Sequence, residues 1–193
     1  MARTKEFDPD AVLQRAMDLF WERGYEATSM ADLVEHLGIG RASLYGTFGS
    51  KHDLYLAAMR RYLQGSEAGF VTALAQPGPA LPAVRAFVES WVTEALTDSK
   101  RRGCLVVNAA VELSPRDPEV ARQVDVSWSV VETALVGSLI RAQAQGELAA
   151  DRTPQEIARF LLVVMQGMRV IARAAPEAGR LQDAARLALA VLD

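Results

Sequence analysis

The chain has 193 residues with 21 basic and 24 acidic side chains, which gives a formal net charge of −3. Half of the residues are apolar and only one is cysteine. This composition excludes a disordered chain and a disulfide-stapled secreted domain. No apolar run approaches the roughly 18 residues of a membrane span, and the polar residues 1–6 lack the apolar stretch of a signal peptide. We therefore expect a cytoplasmic globular protein with no membrane partner.

Helix starts and stops recur along the chain, whereas no strand pattern of alternating apolar residues stands out. Asp8 is a good N-cap acceptor, Pro9 suits the first position of a helix, and Gly24 is placed to end it. Ser29 and Ser50 are suited to cap two further helices. The first part of the chain therefore predicts four helices, over residues 9–23, 30–37, 41–48 and about 51–74.

The remainder of the chain also predicts only helices. Asp117-Pro118 and Thr153-Pro154 repeat the arrangement of a capping residue before a proline. The predicted helices cover about residues 81–97, 103–113, 118–145, 154–174 and 177–192. The sequence thus predicts an all-α protein of about nine helices.

Residues 28–53 are the most informative part of the sequence. Two short helices are joined there by a tight turn, Leu37-Gly38-Ile39-Gly40, which is the spacing of a helix-turn-helix. Apolar side chains of both helices can close a small core against the first helix, so the other face of the third helix points outward. That face consists of Arg41, Ala42, Ser43, Tyr45, Gly46 and Thr47. Small or hydrogen-bonding side chains of this kind suit a helix that enters a DNA major groove about 12 Å wide.

The charge near this third helix differs from that of the whole chain. The first 62 residues carry 8 basic and 9 acidic side chains, but residues 38–52 contain Arg41, Lys51 and His52 and no carboxylate. Because whole-chain charge averages over different regions, a net charge of −3 is compatible with a local contact to DNA phosphates. His36 and His52 are interpreted as surface residues of this region.

A family resemblance is carried by Met30-Ala31-Asp32-Leu33-Val34 and by Gly38-Ile39-Gly40-Arg41-Ala42-Ser43-Leu44-Tyr45-Gly46-Thr47-Phe48-Gly49-Ser50-Lys51. Over roughly residues 8–60 the chain resembles the TetR family of bacterial transcriptional regulators. The resemblance implies a homodimeric repressor that binds a two-fold symmetric operator in double-stranded DNA. It also implies a helix-turn-helix DNA-binding domain at residues 1–58 and a ligand-binding and dimerisation domain at residues 59–193.

The resemblance also implies which residues contact DNA. The matched positions are Thr28 and Ser29 for phosphates at the start of the second helix, Arg41, Ala42 and Ser43 for base reading, Tyr45 for a phosphate hydrogen bond, and Lys51 for the lysine that begins the fourth helix. Gly46 and Thr47 complete the expected DNA-facing set but depart from the family. Most relatives carry a bulky aromatic or basic residue at the first of these positions and a histidine at the second.

The last two predicted helices offer a surface on which two copies could pair. Two DNA readers held about 34 Å apart can address one face of a two-fold site. Small side chains on the last helix allow close approach in a four-helix contact between subunits. The predicted interface residues are Phe160, Leu161, Val164, Met168, Leu181, Ala185 and Ala188. The alternative interpretation is that they form intramolecular core.

The middle helices predict a pocket for a small-molecule effector, because ligand sites are mostly apolar with a few placed polar groups. Asn108 and Glu112 are four residues apart beside an apolar stretch and share one helix face. In the alternative, Asn108 satisfies a backbone group, Glu112 is solvated or paired with Arg116, and the tryptophans belong to the core. The predicted pocket residues are Trp91, Cys104, Asn108, Glu112, Trp128, Glu132, Met165 and Gln166.

Cys104 supports an alternative function. It follows Lys100-Arg101-Arg102-Gly103, so we expect it at a helix N-terminus beside three cations. Both features lower the pKa of a thiol and raise its reactivity. A regulator that senses oxidants or electrophiles through Cys104 is therefore the second hypothesis, and an inert buried cysteine is its rival.

Two other classes compete with a DNA-binding regulator. An enzyme has little support, because the sequence has no metal-spaced His/Cys set, no Gly-rich phosphate loop and no convincing Ser/His/Asp arrangement. We accordingly expect no catalytic residue, metal or cofactor. A helical adaptor that binds only protein would leave the acid-free segment 38–52 without a purpose. The sequence thus predicts a ligand-responsive dimeric repressor that a small molecule releases from its operator.

Overall fold

The computed structural model describes residues 7–193 apart from the side chain of Glu67, so the polar residues 1–6 lie outside the described range. Within this range the chain forms nine α-helices, a final 3-10 turn at Ala190–Leu192 and no strand. The helices are α1 (Pro9–Arg23), α2 (Met30–Leu37), α3 (Arg41–Phe48), α4 (Lys51–Leu74), α5 (Ala80–Thr97), α6 (Leu105–Glu112), α7 (Pro118–Ala144), α8 (Pro154–Ala174) and α9 (Ala178–Leu189). No helix between residues 7 and 193 combines the length and apolarity needed to cross a bilayer.

The first four helices have the predicted bounds because local capping sets them. Gly24, at φ 90°, follows the end of α1, and Gly38, at φ 67°, follows the end of α2 in the left-handed conformation that glycine tolerates. Ser29 and Ser50 each form a reciprocal capping box with the aspartate three residues later. These caps confirm the helix-turn-helix spacing predicted for α2 and α3.

The predicted bounds of the later helices differ from the structure by up to three residues, most clearly in the sixth and the last helix. The sixth helix begins at Leu105 rather than at residue 103, because Gly103 has φ 64° and Cys104 is an extended N-cap residue. The last helix begins at Ala178 and gives way to the 3-10 turn after Leu189. As a result, Cys104 lies at the entry of α6 and not inside it.

The buried side chains form two clusters, and the boundary between these clusters does not coincide with the boundary between the two predicted domains. The first cluster joins α1, α2, α3 and the start of α4 with α6 and the start of α7. The second cluster joins the end of α4 and most of α7 with α5, α8 and α9. The long helices α4 and α7 therefore belong to both clusters, and the division between residues 58 and 59 stays a prediction.

Candidate functional site

One buried residue sets the outward face of α3. Leu44 is fully buried in the first cluster and so fixes the rotation of the helix about its axis. The exposed residues of α3, called the recognition face below, are Arg41, Ala42, Ser43, Tyr45 and Gly46, and Thr47 beside them is half-buried. The guanidinium carbon of Arg41 lies 5.8 Å from the centre of the Tyr45 ring. The structure thus exposes the residues predicted to read bases.

A lysine and two capping aspartates are the charged side chains whose contacts are defined beside the recognition face. Lys51 Nζ lies 4.1 Å from the centre of the Tyr25 ring, within cation–π distance. Glu35 is exposed on α2. The two other nearest carboxylates along the chain, Asp32 and Asp53, are bound in capping boxes. Hydrogen bonds from the hydroxyl and N–H of each capping serine hold the pKa of both carboxyls below the ordinary value. Their charge is offset by the adjacent helix N-termini.

Two residues predicted at this surface have other partners. Thr28 is fully buried and its hydroxyl donates to the carbonyl of Gly24 at 2.7 Å, so its side chain is not exposed for the predicted phosphate contact. Ser29 is exposed, as that prediction requires. His52, interpreted as a surface residue, is half-buried with Nε2 only 2.6 Å from Asp117 Oδ2. His52 therefore links the start of α4 to the start of α7.

A small cavity, called the central cavity below, lies among α4, α5, α6, α7 and α8. It measures about 20 Å³ and is lined by Tyr62, Ser66, Phe70, Trp91, Cys104, Val106, Ser127, Trp128, Val131, Gln166 and Arg169. The structure thus brings together four of the predicted pocket residues, namely Trp91, Cys104, Trp128 and Gln166. Tyr62, Ser66 and Phe70 also line the central cavity. All three are on α4, the helix that begins beside the recognition face.

Arg169 is the one ionised residue among the cavity residues that the sequence interpretation missed. It is only 4% exposed, and its two terminal nitrogens donate to the carboxylate of Glu94 at 2.9 and 2.7 Å. Its guanidinium carbon lies 4.3 Å from the Trp91 ring centre. Burial acts to lower the pKa of Arg169, but the ion pair with Glu94 helps to raise it above the ordinary value. The signal in the sequence is a single arginine on the otherwise apolar buried face of α8.

Four predicted pocket residues lie outside the central cavity, and two of them, Asn108 and Glu112, line a separate surface cleft of about 520 Å³. Asn108 Nδ2 donates to the carbonyl of Arg102 at 3.0 Å, as in the alternative interpretation. The Glu112 carboxylate accepts hydrogen bonds from backbone N–H groups that follow α1. Glu132 accepts hydrogen bonds from side chains of α8. Met165 is fully buried in the second cluster.

Cys104 is buried and its neighbours differ from those expected. Tyr62 donates its hydroxyl hydrogen to Cys104 Sγ at 3.6 Å, and burial raises the pKa of Tyr62 well above its ordinary value. Of the three preceding cations, Lys100 pairs with Glu22 at 3.1 Å and Arg102 stacks over the Trp21 ring at 3.9 Å. Lys100 and Arg102 therefore contact these groups and not the Cys104 thiol, which differs from the expected cluster of three cations.

Most of the predicted dimer residues are intramolecular core. Leu161, Met168, Leu181, Ala185 and Ala188 are buried in the second cluster, which contradicts their assignment to an interface and agrees with the alternative. Phe160 is 44% exposed and Val164 is half-buried. The large apolar residues that α8 does expose are Phe160, Val163, Val170 and Ile171. Their spacing marks a second apolar face on the same helix.

A short exposed helix without carboxylates, fixed by a tight glycine turn to a capped partner helix, defines the chain as a helix-turn-helix protein of the DNA-binding class. Residues 12–58 match the family described as "Bacterial regulatory proteins, tetR family", and residues 80–188 match "Tetracyclin repressor-like, C-terminal domain". The chain belongs to the TetR family of transcriptional regulators, as the sequence resemblance predicted.

Curated relatives and solved structures agree with this assignment. The chain is 40% identical to the uncharacterized HTH-type transcriptional regulator YezE of Bacillus subtilis (strain 168) over 100% of both chains. It is 34% identical to the HTH-type transcriptional repressor ComR of Escherichia coli (strain K12), over 89% of this chain and 82% of ComR. A cysteine mutant of the TetR family regulator CifR, complexed with 26-base-pair operator DNA, matches with a TM-score of 0.88, 33% identity and 100% coverage of both chains. The chain is thus similar to transcription regulators along its whole length.

Proposed function

We propose that the chain is a homodimeric repressor that binds a two-fold symmetric operator and is released by a small molecule. Residues 1–58 would read DNA, and residues 59–193 would bind the effector and hold the dimer. Support comes from ComR, which is named a repressor, and from CifR, which is described in complex with operator DNA. Both are more than 30% identical to this chain.

The recognition face supplies the proposed base contacts. Arg41 is exposed at the first position of α3 and can donate to base edges or phosphates. Ala42 and Ser43 allow close approach, and Tyr45, 42% exposed, can donate its hydroxyl hydrogen to a phosphate. Gly46 and Thr47 leave room at the end of the helix. Lys51, at the first position of α4, adds a positive charge beside a helix N-terminus.

The observation that carries the regulatory part is the course of α4. One continuous helix begins at Lys51, next to the recognition face, and places Tyr62 in the central cavity. At 1.5 Å per residue, these two residues are roughly 16 Å apart along the helix axis. A ligand that displaces Tyr62 or Phe70 would move α4 and with it the spacing of the two recognition faces. Release then requires that the ligand bind the displaced state more tightly.

The exposed apolar face of α8 supports the dimer. Phe160, Val163, Val170 and Ile171 are between 37% and 70% exposed. Apolar side chains clustered on one face of a helix commonly mark an interface between proteins. Pairing this face with its copy would also match the closed two-fold symmetry that a two-fold operator requires.

The test is a titration of the full chain against DNA fragments from upstream of its own gene, followed by fluorescence anisotropy at several salt concentrations. Specific binding should weaken with salt. Lys51→Ala should lower the salt slope by about one, and Arg41→Ala should weaken operator binding by about 1–3 kcal/mol. Arg152→Ala is the control, because this residue is in the loop before α8 and donates to the Asp193 carbonyl. If both variants bind DNA as the unmodified chain does, the proposed DNA surface is wrong.

One contact of Cys104 supports redox or electrophile sensing as a second candidate function. Its sulfur accepts a hydrogen bond from Tyr62 of α4, so a group added to the thiol would press on the same helix. The test is release of operator DNA by an electrophile, compared between the unmodified chain and Cys104→Ser. If Cys104→Ser is released equally well, sensing through this thiol is excluded.

A further inference from the structure

We propose that the effector is a monocarboxylate with a flat apolar body, bound in the central cavity with its carboxylate at Arg169, Trp91 and Trp128. The proposal rests on the proposed function, because it assumes that the central cavity is the effector site. It goes further by assigning the chemical class of the ligand and the donors that recognise it.

Three buried N–H donors at the cavity have no acceptor among the described residues. They are Nε1 of Trp91, Nε1 of Trp128 and Nε of Arg169. All three residues line the central cavity, and Trp91 and Arg169 are each only 4% exposed. A buried donor without a partner destabilises the folded protein, so such groups concentrate where a ligand supplies the acceptor. Three donors together call for a ligand rich in acceptor atoms.

The other lining residues restrict the rest of the ligand. Tyr62, Phe70, Trp91 and Trp128 give the cavity four aromatic side chains, which suit a flat apolar body. Arg169 is the one ionised side chain among the lining residues, and none of them is a carboxylate. Glu94 lies outside the lining and already pairs with Arg169, so no carboxylate in the cavity lining could pair with a cationic ligand. The unpartnered N–H donors instead favour an anion with several acceptor atoms.

A surface cleft that Arg169 also lines has the same preference. This cleft of about 380 Å³ is lined by Lys100, Arg101, Arg102 and Arg169, against the two carboxylates of Glu94 and Asp98. Arg169 lines both the cleft and the central cavity. A cleft with excess positive charge raises the local concentration of anions. The cleft therefore offers a route by which a carboxylate could reach the cavity.

The size of the cavity connects binding to release. A volume of about 20 Å³ holds roughly one water molecule. A carboxylate with an aromatic ring is larger, so its entry must displace lining side chains. Three of these side chains, Tyr62, Ser66 and Phe70, are on α4. Binding of the ligand therefore requires α4 to move, and α4 begins beside the recognition face.

The experiment measures binding of benzoate to the full chain by calorimetry and thermal shift, with benzylamine and benzyl alcohol as probes of matched size. Benzoate should bind more tightly than either. Trp91→Phe and Trp128→Phe, which remove one N–H each, should weaken benzoate binding about tenfold and reduce the rise in melting temperature that benzoate causes. Glu94→Gln should tighten it, because Arg169 loses its competing carboxylate. Arg122→Gln, an exposed change on α7, is the control.

Equal binding of benzylamine or benzyl alcohol would overturn the carboxylate assignment while leaving a ligand-responsive repressor intact. Failure of benzoate to bind at millimolar concentration, or binding that neither tryptophan variant changes, would also overturn it. Operator binding, measured separately by anisotropy, distinguishes these results from failure of the proposed function. A chain that binds benzoate as described but keeps its operator would contradict release and not the ligand class.

Discussion

The carboxylate of Glu112 in α6 accepts a hydrogen bond from the backbone N–H of Tyr25 at 3.0 Å. Its other oxygen accepts a hydrogen bond from the N–H of Glu26 at 2.8 Å. The approach is close, because a Cβ added at Gly24 would lie 3.0 Å from Glu112 Oε2. One acidic side chain of the C-terminal half thus binds the turn between α1 and α2.

Removal of this carboxylate should destabilise the protein. Glu112→Ala leaves one partly buried and one exposed N–H group without their acceptor, so we expect the free energy of unfolding in urea to fall by about 1–2 kcal/mol. Glu89→Ala is the matched control, because Glu89 is exposed on α5, and it should change stability by less than about 0.5 kcal/mol. Equal losses in the two variants would show that the contact with the turn contributes nothing.

The link between Asp117 and His52 predicts a dependence on pH. Burial acts to raise the pKa of Asp117, but hydrogen bonds from the Val120 N–H and from His52 outweigh it and lower the pKa. A carboxyl with a lowered pKa stabilises the fold above its unfolded pKa of about 3.9, and this contribution is lost as pH falls through the lower folded value. Asp117→Asn should therefore cost about 1 kcal/mol near neutral pH and progressively less below about pH 4.

Asparagine is also a good N-cap residue, so Asp117→Asn removes the charge while keeping the cap of α7. Asp125→Asn, an exposed change on the same helix, should leave stability unchanged at both pH values. Urea titrations at neutral and acid pH measure both variants. A loss for Asp117→Asn that does not change with pH would refute the role assigned to its charge.

Gly46 predicts opposite effects on folding and on DNA binding. It is exposed inside α3, and an added Cβ would meet nothing within 4 Å. Gly46→Ala should therefore raise the free energy of unfolding by roughly 0.5–1 kcal/mol through helix propensity. If DNA approaches this position closely, the same methyl group should weaken operator binding in an anisotropy titration.

Gly69→Ala provides the matched comparison. Gly69 is also exposed in a helix with nothing within 4 Å of an added Cβ, but it is near the far end of α4. It should stabilise the chain to a similar extent and leave operator affinity unchanged. Unchanged affinity for Gly46→Ala would mean that DNA does not come near this position.

The exposed face of α8 predicts the oligomeric state. Val163 is 70% exposed, so Val163→Glu should fold normally and shift the protein from dimer to monomer in light scattering after size exclusion. Val71→Glu places the same charge on an exposed position of α4 and should remain dimeric. An unmodified chain that is monomeric at micromolar concentration would remove the basis of the proposed interface.

Helix bounds in the first half were predictable because caps are local. Ser29 and Ser50 bind atoms only three residues away, so the sequence contains both partners side by side. The contacts of Glu112 and Arg169 join residues more than 70 positions apart, and helical periodicity carries no information about them. The predicted pair of Asn108 and Glu112 shares a helix face, but that face points to the α1–α2 turn and not to the central cavity.

The residues predicted at the dimer interface on α8 differ from the exposed ones for a different physical reason. Helix α8 has apolar residues on two faces, and spacings of three and four residues occur on both. Leu161 and Met168 are on the inner face, and Phe160 and Val163 on the outer one. Only the position of α5, α7 and α9 decides which face is buried. The spacing of the residues predicted that α8 packs, but it could not distinguish the protein's own core from a second copy.

The hydrogen bonds of Glu112 to the α1–α2 turn restrict the exchange of either half of this protein for the corresponding half of a relative. Arg116 adds an ion pair to Glu26 at 2.7 Å, and Asp117 adds its bond to His52. A hybrid that joins residues 1–58 to a foreign sensor half would lose all three contacts at once. We expect hybrids to work better when the segment from Cys104 to Asp117 is transferred together with the DNA-binding helices. A hybrid should therefore keep this segment, and should not be joined simply at the end of the helix-turn-helix.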